Sequence, residues 1–289
     1  MATPVSAPAS VTNAGREFHL DERDFRFISE LVGAKTGIQL SDGKRELVYG
    51  RLARRLRQLG FDSFSDYCAL LKQDDGDELM QLVNAITTNL TSFFREKHHF
   101  DFLGRTLVPA WLKANAATRR IRLWSAGCSI GAEPYSLAIA LREALGDERG
   151  WDVRILATDI DTNVLATAAA GVYPEKEVAG LPAAQLRRWF LHGRGANAGM
   201  VRARDELRDL IEFRQLNLIE PWQAPGPFDA LFCRNVVIYF DKPTQKALFD
   251  RFADNIVPDG HLFIGHSESL FKVTDRFELI GQTVYRKLR

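Results

Sequence analysis

The sequence predicts an α/β protein: a doubly wound mixed sheet ending in an antiparallel hairpin, preceded by a small helical domain and interrupted by an inserted subdomain. Three observations predict it. From residue 121 onward, short β-rich runs alternate with helix-period stretches. The first run ends in a turn bounded by Gly127 and Gly131, and the second ends in Asp159. Those are the carboxyl ends at which open α/β sheets gather their ligands. Upstream, apolar residues recur at three- and four-residue spacing, the period of a helix.

Residues 1–20 are rich in Ala, Pro, Ser and Thr at their start and carry neither a basic leader nor an apolar run, which predicts a disordered tail. Residues 21–100 form the helical domain and linker. Phe25, Ile28, Leu31 and Val32 mark one amphipathic face, and Val48, Leu52, Leu56 and Leu59 another. Gly37, Gly43 and Gly60 punctuate them. Residues 101–289 form the α/β domain. Its first strand spans 121–124, a helix follows over 133–145, and a second strand over 153–158. The next helix is capped by Asp161 or Thr162. Residues 172–208 break the alternation with Pro174, Pro182 and the loop 193–199, so they read as an insertion. Strands at 211–216 and 228–234, a helix at 243–256 and a strand at 261–265 resume the pattern. The strands 277–280 and 283–286 close it as a hairpin.

Composition narrows the function. The 289 residues are 46% hydrophobic and 26% charged, as in an ordinary globular chain. No apolar run approaches the roughly 20 residues that span a bilayer. A net charge of +1 argues against nucleic-acid binding through bulk charge. Cys68, Cys128 and Cys233 lack metal-ligand spacing, and no metal site is expected; they read as reduced thiols of a cytoplasmic protein. His98 and His99 read as ordinary helix residues.

The glycine turn lacks both the dinucleotide G-x-G-x-x-G and the Gly-Lys-Ser/Thr of a phosphate loop. That weighs against a nicotinamide dehydrogenase. In place of a lysine it offers Glu133, suited to a cationic ammonium. Tight packing explains the two glycines equally well. Asp159 suits ribose hydroxyls, with a helix cap as the alternative.

The segments 87–96, 125–136, 157–161, 232–240, 265–268 and 281–285 together resemble the CheR chemotaxis receptor methyltransferases, from about Phe25 to the C-terminus and in the same order. One departure is Ala132, where many members place a polar or acidic residue. The resemblance implies a Rossmann-like fold that binds S-adenosyl-L-methionine, releases S-adenosyl-L-homocysteine, and esterifies glutamate side chains of methyl-accepting chemotaxis receptors. It implies a cofactor site of Asn89, Thr91, Arg95, Glu133, Asp159, Asn217, Leu218, Arg234 and Asn235, and a small antiparallel β unit for the insertion. In some members that unit binds a pentapeptide at the receptor C-terminus, and loop 193–199 resembles the form associated with it.

A glutamate carboxylate is already ionised at neutral pH, since its ordinary pKa is about 4.3. The chemistry therefore needs alignment more than a base. Arg95, whose guanidinium can grip a carboxylate, and Tyr239, a hydroxyl donor, are the catalytic candidates. Arg95 could engage either the substrate or the cofactor carboxylate. Base methylation is disfavoured because the stretch after Asn235 lacks a proline pair. Lys44, Arg51, Arg54 and Arg55 share one helix flank and form the candidate receptor-docking face. A solvated face is the plainer reading, and RNA the rival partner, though no aromatic residues interleave the arginines. The enzyme is expected to be monomeric. A non-catalytic cofactor sensor is the competing class.

Overall fold

The computed structural model describes residues 17–74, 76–223 and 226–288. The tail expected over residues 1–20 falls mainly on residues outside those described; Phe18 and Leu20 are buried, so packing begins ahead of Asp21. The described residues cluster into two compact units. One contains residues up to 34 together with 40–86, and the other 35–39 together with 87 onward.

The first unit is helical: α1 (Glu22–Thr36), α2 (Arg45–Leu59), α3 (Phe64–Gln73) and α4 (Asp77–Ile86). Each helix turns an apolar stripe inward, burying among others Phe25, Ile28, Val48, Leu52, Leu56, Tyr67 and Leu82. Ser63 caps α3 by accepting the Asp66 N–H, and Gly60 ends α2 in the left-handed conformation.

In the second unit residues 87–97 form an irregular segment, in which Phe94 and Glu96 hold positive φ. Next come α5 (His98–Phe102), a π-helical turn, and α6 (Val108–Ala114). The alternation follows: β1 (Arg120–Ala126), α7 (Ala132–Leu145), β2 (Asp152–Asp159) and α8 (Thr162–Ala170). Asp161 is the N-cap of α8, accepting from the N–H groups of Asn163 and Val164, so Asp159 is left for another role. The insertion holds β3 (Val172–Pro174), α9 (Glu175–Val178), α10 (Ala183–Trp189), β4 (Phe190–His192), β5 (Met200–Ala203) and α11 (Asp205–Arg208). Its strands form a separate antiparallel sheet of order β3-β5-β4. The main chain resumes with β6 (Ile211–Gln215), β7 (Phe228–Cys233), α12 (Lys242–Asn255), β8 (Ile256–Ile264), β9 (Phe277–Gly281) and β10 (Val284–Lys287).

The main sheet has the order β6-β2-β1-β7-β8-β10-β9. The first five strands are parallel; β10 runs antiparallel to both neighbours. The mixed sheet and terminal antiparallel pair match the predicted class. One detail differs. Pro258, Asp259 and Gly260 do not precede β8 but bulge within it: Phe228 pairs with Ile256, and Ala230 with His261. The strand order reverses between β1 and β7, the switch point at which such sheets bind ligands. Phe232 and Phe263 stack beneath it with ring centroids 4.1 Å apart. Trp124, fully buried, donates its indole N–H to Thr158 at 2.9 Å, so its one polar group is satisfied.

Candidate functional site

The carboxyl ends of β1, β2 and β7 are tied together by buried polar contacts. After β1 the chain turns sharply, with Gly127 and Gly131 both at positive φ. A Cβ on Gly127 would lie 2.4 Å from Val236 Cγ2, so the position needs glycine for space as well as for conformation. Gly127→Ala is therefore expected to destabilise the fold by roughly 2–4 kcal/mol, combining left-handed strain with overpacking. Urea unfolding would read the loss, and an unchanged midpoint would contradict it. Tyr173 of the insertion donates to the Ile130 carbonyl at 2.8 Å, so β3 also braces this turn.

Asp159 is buried at the end of β2. Its carboxylate accepts the Ser129 N–H at 2.7 Å and the Asp161 N–H at 3.0 Å, fixing the glycine turn. Burial raises its pKa, and those two N–H groups oppose the rise. Ser129 in turn donates to the Asn89 carbonyl at 2.9 Å, while the Asn89 amide donates to Asp161 at 2.7 Å. The segment at 87–97 is thereby fastened across the turn. Thr91 is half-buried in it. Phe93 packs edge-on against Tyr173 and Phe190, and Phe94 against Phe100.

Glu133 opens α7 as a buried carboxylate. Ser125 donates to one oxygen at 2.7 Å and Arg234 to the other at 3.1 Å. Burial pushes the Glu133 pKa up, with the Arg234 charge and the Ser125 hydroxyl acting against it. Arg234, from the residue after β7, also donates to the Arg95 carbonyl and lies 3.3 Å from Glu96. The Arg95 guanidinium donates back to the Leu90 carbonyl at 3.1 Å, closing the loop on itself.

Asn235 follows with a positive φ of 59°. The buried carboxylate of Glu268 accepts its N–H at 2.8 Å, and those of Val237 at 2.9 Å and Gly265 at 2.6 Å. Tyr239 ends the short 3₁₀ turn Val237–Tyr239 and is half-buried; its carbonyl accepts the Gln39 N–H.

Two predicted site residues stand apart from this cluster in their bonding. Asn217 donates to the Lys35 carbonyl at 2.7 Å. Leu218 buries its side chain in the core, and its carbonyl takes donors from Trp222 and Arg251. On the basic flank of α2, Arg55 forks onto the buried Glu78, Arg51 donates to the Ile86 carbonyl, and Lys44 closes the turn before α2. Arg54 is exposed.

The sequence reading gave no role to Glu96, Ser125, Ser129 or Glu268. The signal for Glu268 was an acidic residue three places after Gly265, just beyond a strand. The burial of Glu96 leaves no local signal. Its pKa is lowered to about 2: burial favours protonation, but hydrogen bonds from His266 and the charge of Arg234 outweigh it. The folded value lies below the ordinary 4.5. Glu96 therefore stabilises the fold above about pH 4.5, and that contribution is lost as the pH falls toward 2. In acid titrations, Glu96→Gln is expected to flatten this part of the stability profile; an unaltered profile would contradict the pairing. The thiols of Cys128 and Cys233 are pushed well up by burial, which suits packing and not nucleophilic chemistry.

The donor set fits a phosphate-free, positively charged nucleoside. Buried carboxylates stand at the ends of β1 and β2, and a Cβ-intolerant turn lets backbone approach the ligand closely. Residues 23–87 match the CheR methyltransferase all-alpha domain, and residues 89–286 match the CheR methyltransferase SAM binding domain. The chain is 47% identical over 285 residues to chemotaxis protein methyltransferase 2 of Pseudomonas aeruginosa, covering 98% of this chain and 99% of that one. It is 47% identical to the chemotaxis protein methyltransferase of Salmonella typhimurium, with 92% and 90% covered, and 46% identical to that of Escherichia coli, with 92% and 91% covered. The cofactor of this domain is S-adenosylmethionine. With both units matched and a buried carboxylate site at the switch point of its sheet, this chain belongs to the CheR methyltransferase family.

Proposed function

We propose that this protein transfers the methyl group of S-adenosylmethionine to glutamate side-chain carboxylates of methyl-accepting chemotaxis receptors, giving γ-methyl esters and S-adenosylhomocysteine, for sensory adaptation. The observation that carries the reading is the buried Glu133–Arg234 pair beside a glycine turn without phosphate-loop chemistry. When bound, the cofactor supplies a methyl group already activated on a sulfonium.

The chain's own residues bind and align. Glu133 takes the ammonium, and Asp159 the ribose hydroxyls. Asn89, Thr91, Arg95, Asn217, Leu218, Arg234 and Asn235 complete the cofactor site. Leu218 contributes backbone only, its side chain being buried in the core. Arg95 and Tyr239 orient the incoming carboxylate. No residue has to remove a proton, because the acceptor is ionised near neutral pH. Holding it in line is worth up to roughly 7–11 kcal/mol.

The receptor's cytoplasmic domain docks on the flank of Lys44, Arg51, Arg54 and Arg55. Arg54 is the member most open to a glutamate-rich helix, since Arg51 and Arg55 already bond within their unit. A receptor C-terminal pentapeptide adds as a strand to the inserted sheet, where β3 and β4 are the outer strands. That tether raises the local substrate concentration. The enzyme works as a cytoplasmic monomer; among the described residues no helix is long and apolar enough to cross a membrane.

Incubation with methyl-labelled cofactor and a receptor cytoplasmic domain tests the reaction. Mild base is expected to release the label as methanol. Base-stable label would replace the ester with N-methylation, and absence of transfer would favour a cofactor sensor.

A further inference from the structure

We infer that Glu96 is a positioning residue that sets the charge of the cofactor's amino-acid pocket, by sharing Arg234 with Glu133 so that the buried cluster lacks one cation until an ammonium arrives. The inference rests on the proposed reading of Glu133 as the ammonium's partner.

The count of charges carries it. Arg234 has 2% of its side chain exposed, Glu96 10% and Glu133 11%. The guanidinium stands 3.1 Å from one carboxylate and 3.3 Å from the other. Two buried negative charges thus face one positive charge. Buried charge without a partner is costly, so the site is built to attract a second cation.

The neighbouring imidazoles do not supply it. His99 is fully buried, and its Nε2 lies 3.1 Å from the Gln282 carbonyl, which can only accept. The Thr283 hydroxyl, 3.0 Å from the same nitrogen, donates to that carbonyl at 2.8 Å and so accepts from the ring, which places the ring proton on Nε2. His99 Nδ1 therefore presents a lone pair, 3.6 Å from Glu96 Oε2, and adds no positive charge. Burial keeps His99 neutral, lowering its pKa to about 3. His266 bonds the outer oxygen of Glu96 at 2.8 Å, but its ring is 66% exposed, and water screens any charge there. Glu96, His98 and His99 also gather three possible metal-ligand atoms within 4.8 Å. The guanidinium beside the shared Glu96 oxygen opposes a metal ion at that point.

Without Glu96 the pair Glu133–Arg234 is neutral, and the attraction for an ammonium falls. Glu96 thereby gives selectivity for ligands that carry the amino-acid group over bare thioether nucleosides. Its effect is electrostatic and remote, so shape alone does not reproduce it.

Calorimetry on the full chain with two ligands tests this: S-adenosylhomocysteine, and methylthioadenosine, which lacks both ammonium and carboxylate. Glu96→Gln is expected to weaken the first about tenfold, the order for one unit charge about 12 Å away at an effective dielectric of ~20. Methylthioadenosine affinity should stay the same. Glu96→Asp, which keeps the charge, should restore most of the selectivity. If Glu96→Gln does not fold, Glu96→Asp carries the test: a selectivity near wild type supports charge as the cause, and a collapsed selectivity overturns it. Equal weakening of both ligands by Glu96→Gln, or no change in either, also overturns the proposal. A wild-type protein that binds no S-adenosylhomocysteine would instead defeat the reading of the site on which the proposal stands.

Discussion

Arg234→Ala is expected to abolish measurable cofactor binding and to remove about 3–5 kcal/mol of stability, the cost of breaking a buried ion pair from one side. The arginine is the only cation in direct contact with both Glu133 and Glu96 among the described residues. It also holds the Arg95 carbonyl, so its loss frees the segment that carries the candidate carboxylate-gripping group. Glu133 and Glu96 would be left buried and close to one another, and at least one must take up a proton or reach water. Arg234→Lys keeps the charge but cannot span both carboxylates and the carbonyl in one plane, so only partial recovery is expected. Chemical unfolding together with calorimetric titration of S-adenosylhomocysteine checks both effects. A stable variant that still binds would show that the cluster is ornamental to the site.

Glu268→Ala should be nearly as damaging, although Glu268 need not touch any ligand. Its carboxylate accepts N–H groups from both sides of a crossing: Asn235 and Val237 after β7, and Gly265 after β8. Each buried donor stripped of its acceptor costs about 1–3 kcal/mol, and because Asn235 is only half-buried the lower part of the range for three donors, roughly 3–5 kcal/mol, is expected. Asn235 would relax from its positive φ, and Gly265, where a Cβ would meet the Asn235 amide at 2.4 Å, shows how closely the two turns are fitted. Turnover should fall about 100-fold through misplacement of the turn. Glu268→Gln retains one acceptor oxygen and should lose less on both counts. Methyl-transfer kinetics and urea unfolding would show this order, and equal behaviour of the two variants would contradict the acceptor role.

Much of the architecture could be read locally. Helix stripes such as Val48, Leu52 and Leu56, and the β-rich runs ending at the glycine turn and at Asp159, are short-range patterns. They survive in the fold because each side chain has a single favourable face. The place of the candidate site was partly legible for a related reason: strand ends in a doubly wound sheet converge, so Glu133 and Asp159 follow from position and residue type, whereas Arg234 came from the family resemblance. For Asp159, by contrast, a helix cap stood as the alternative to a ligand role, with Asp161 or Thr162 also able to cap. Only the observed bonds separate the one that braces the turn from the one that caps α8.

The residue types at the strand ends and the order of the elements thus follow from the chain's own pattern. What the tertiary structure decided is which charges are buried and with whom. Glu96 and Arg234 are 138 residues apart, Glu133 and Arg234 101 apart, and Glu268 and Asn235 33 apart. Arg55, which looks outward on a helical wheel, ends on Glu78. Whether a charge meets water or a partner depends on desolvation by distant segments, a quantity no local window of sequence contains.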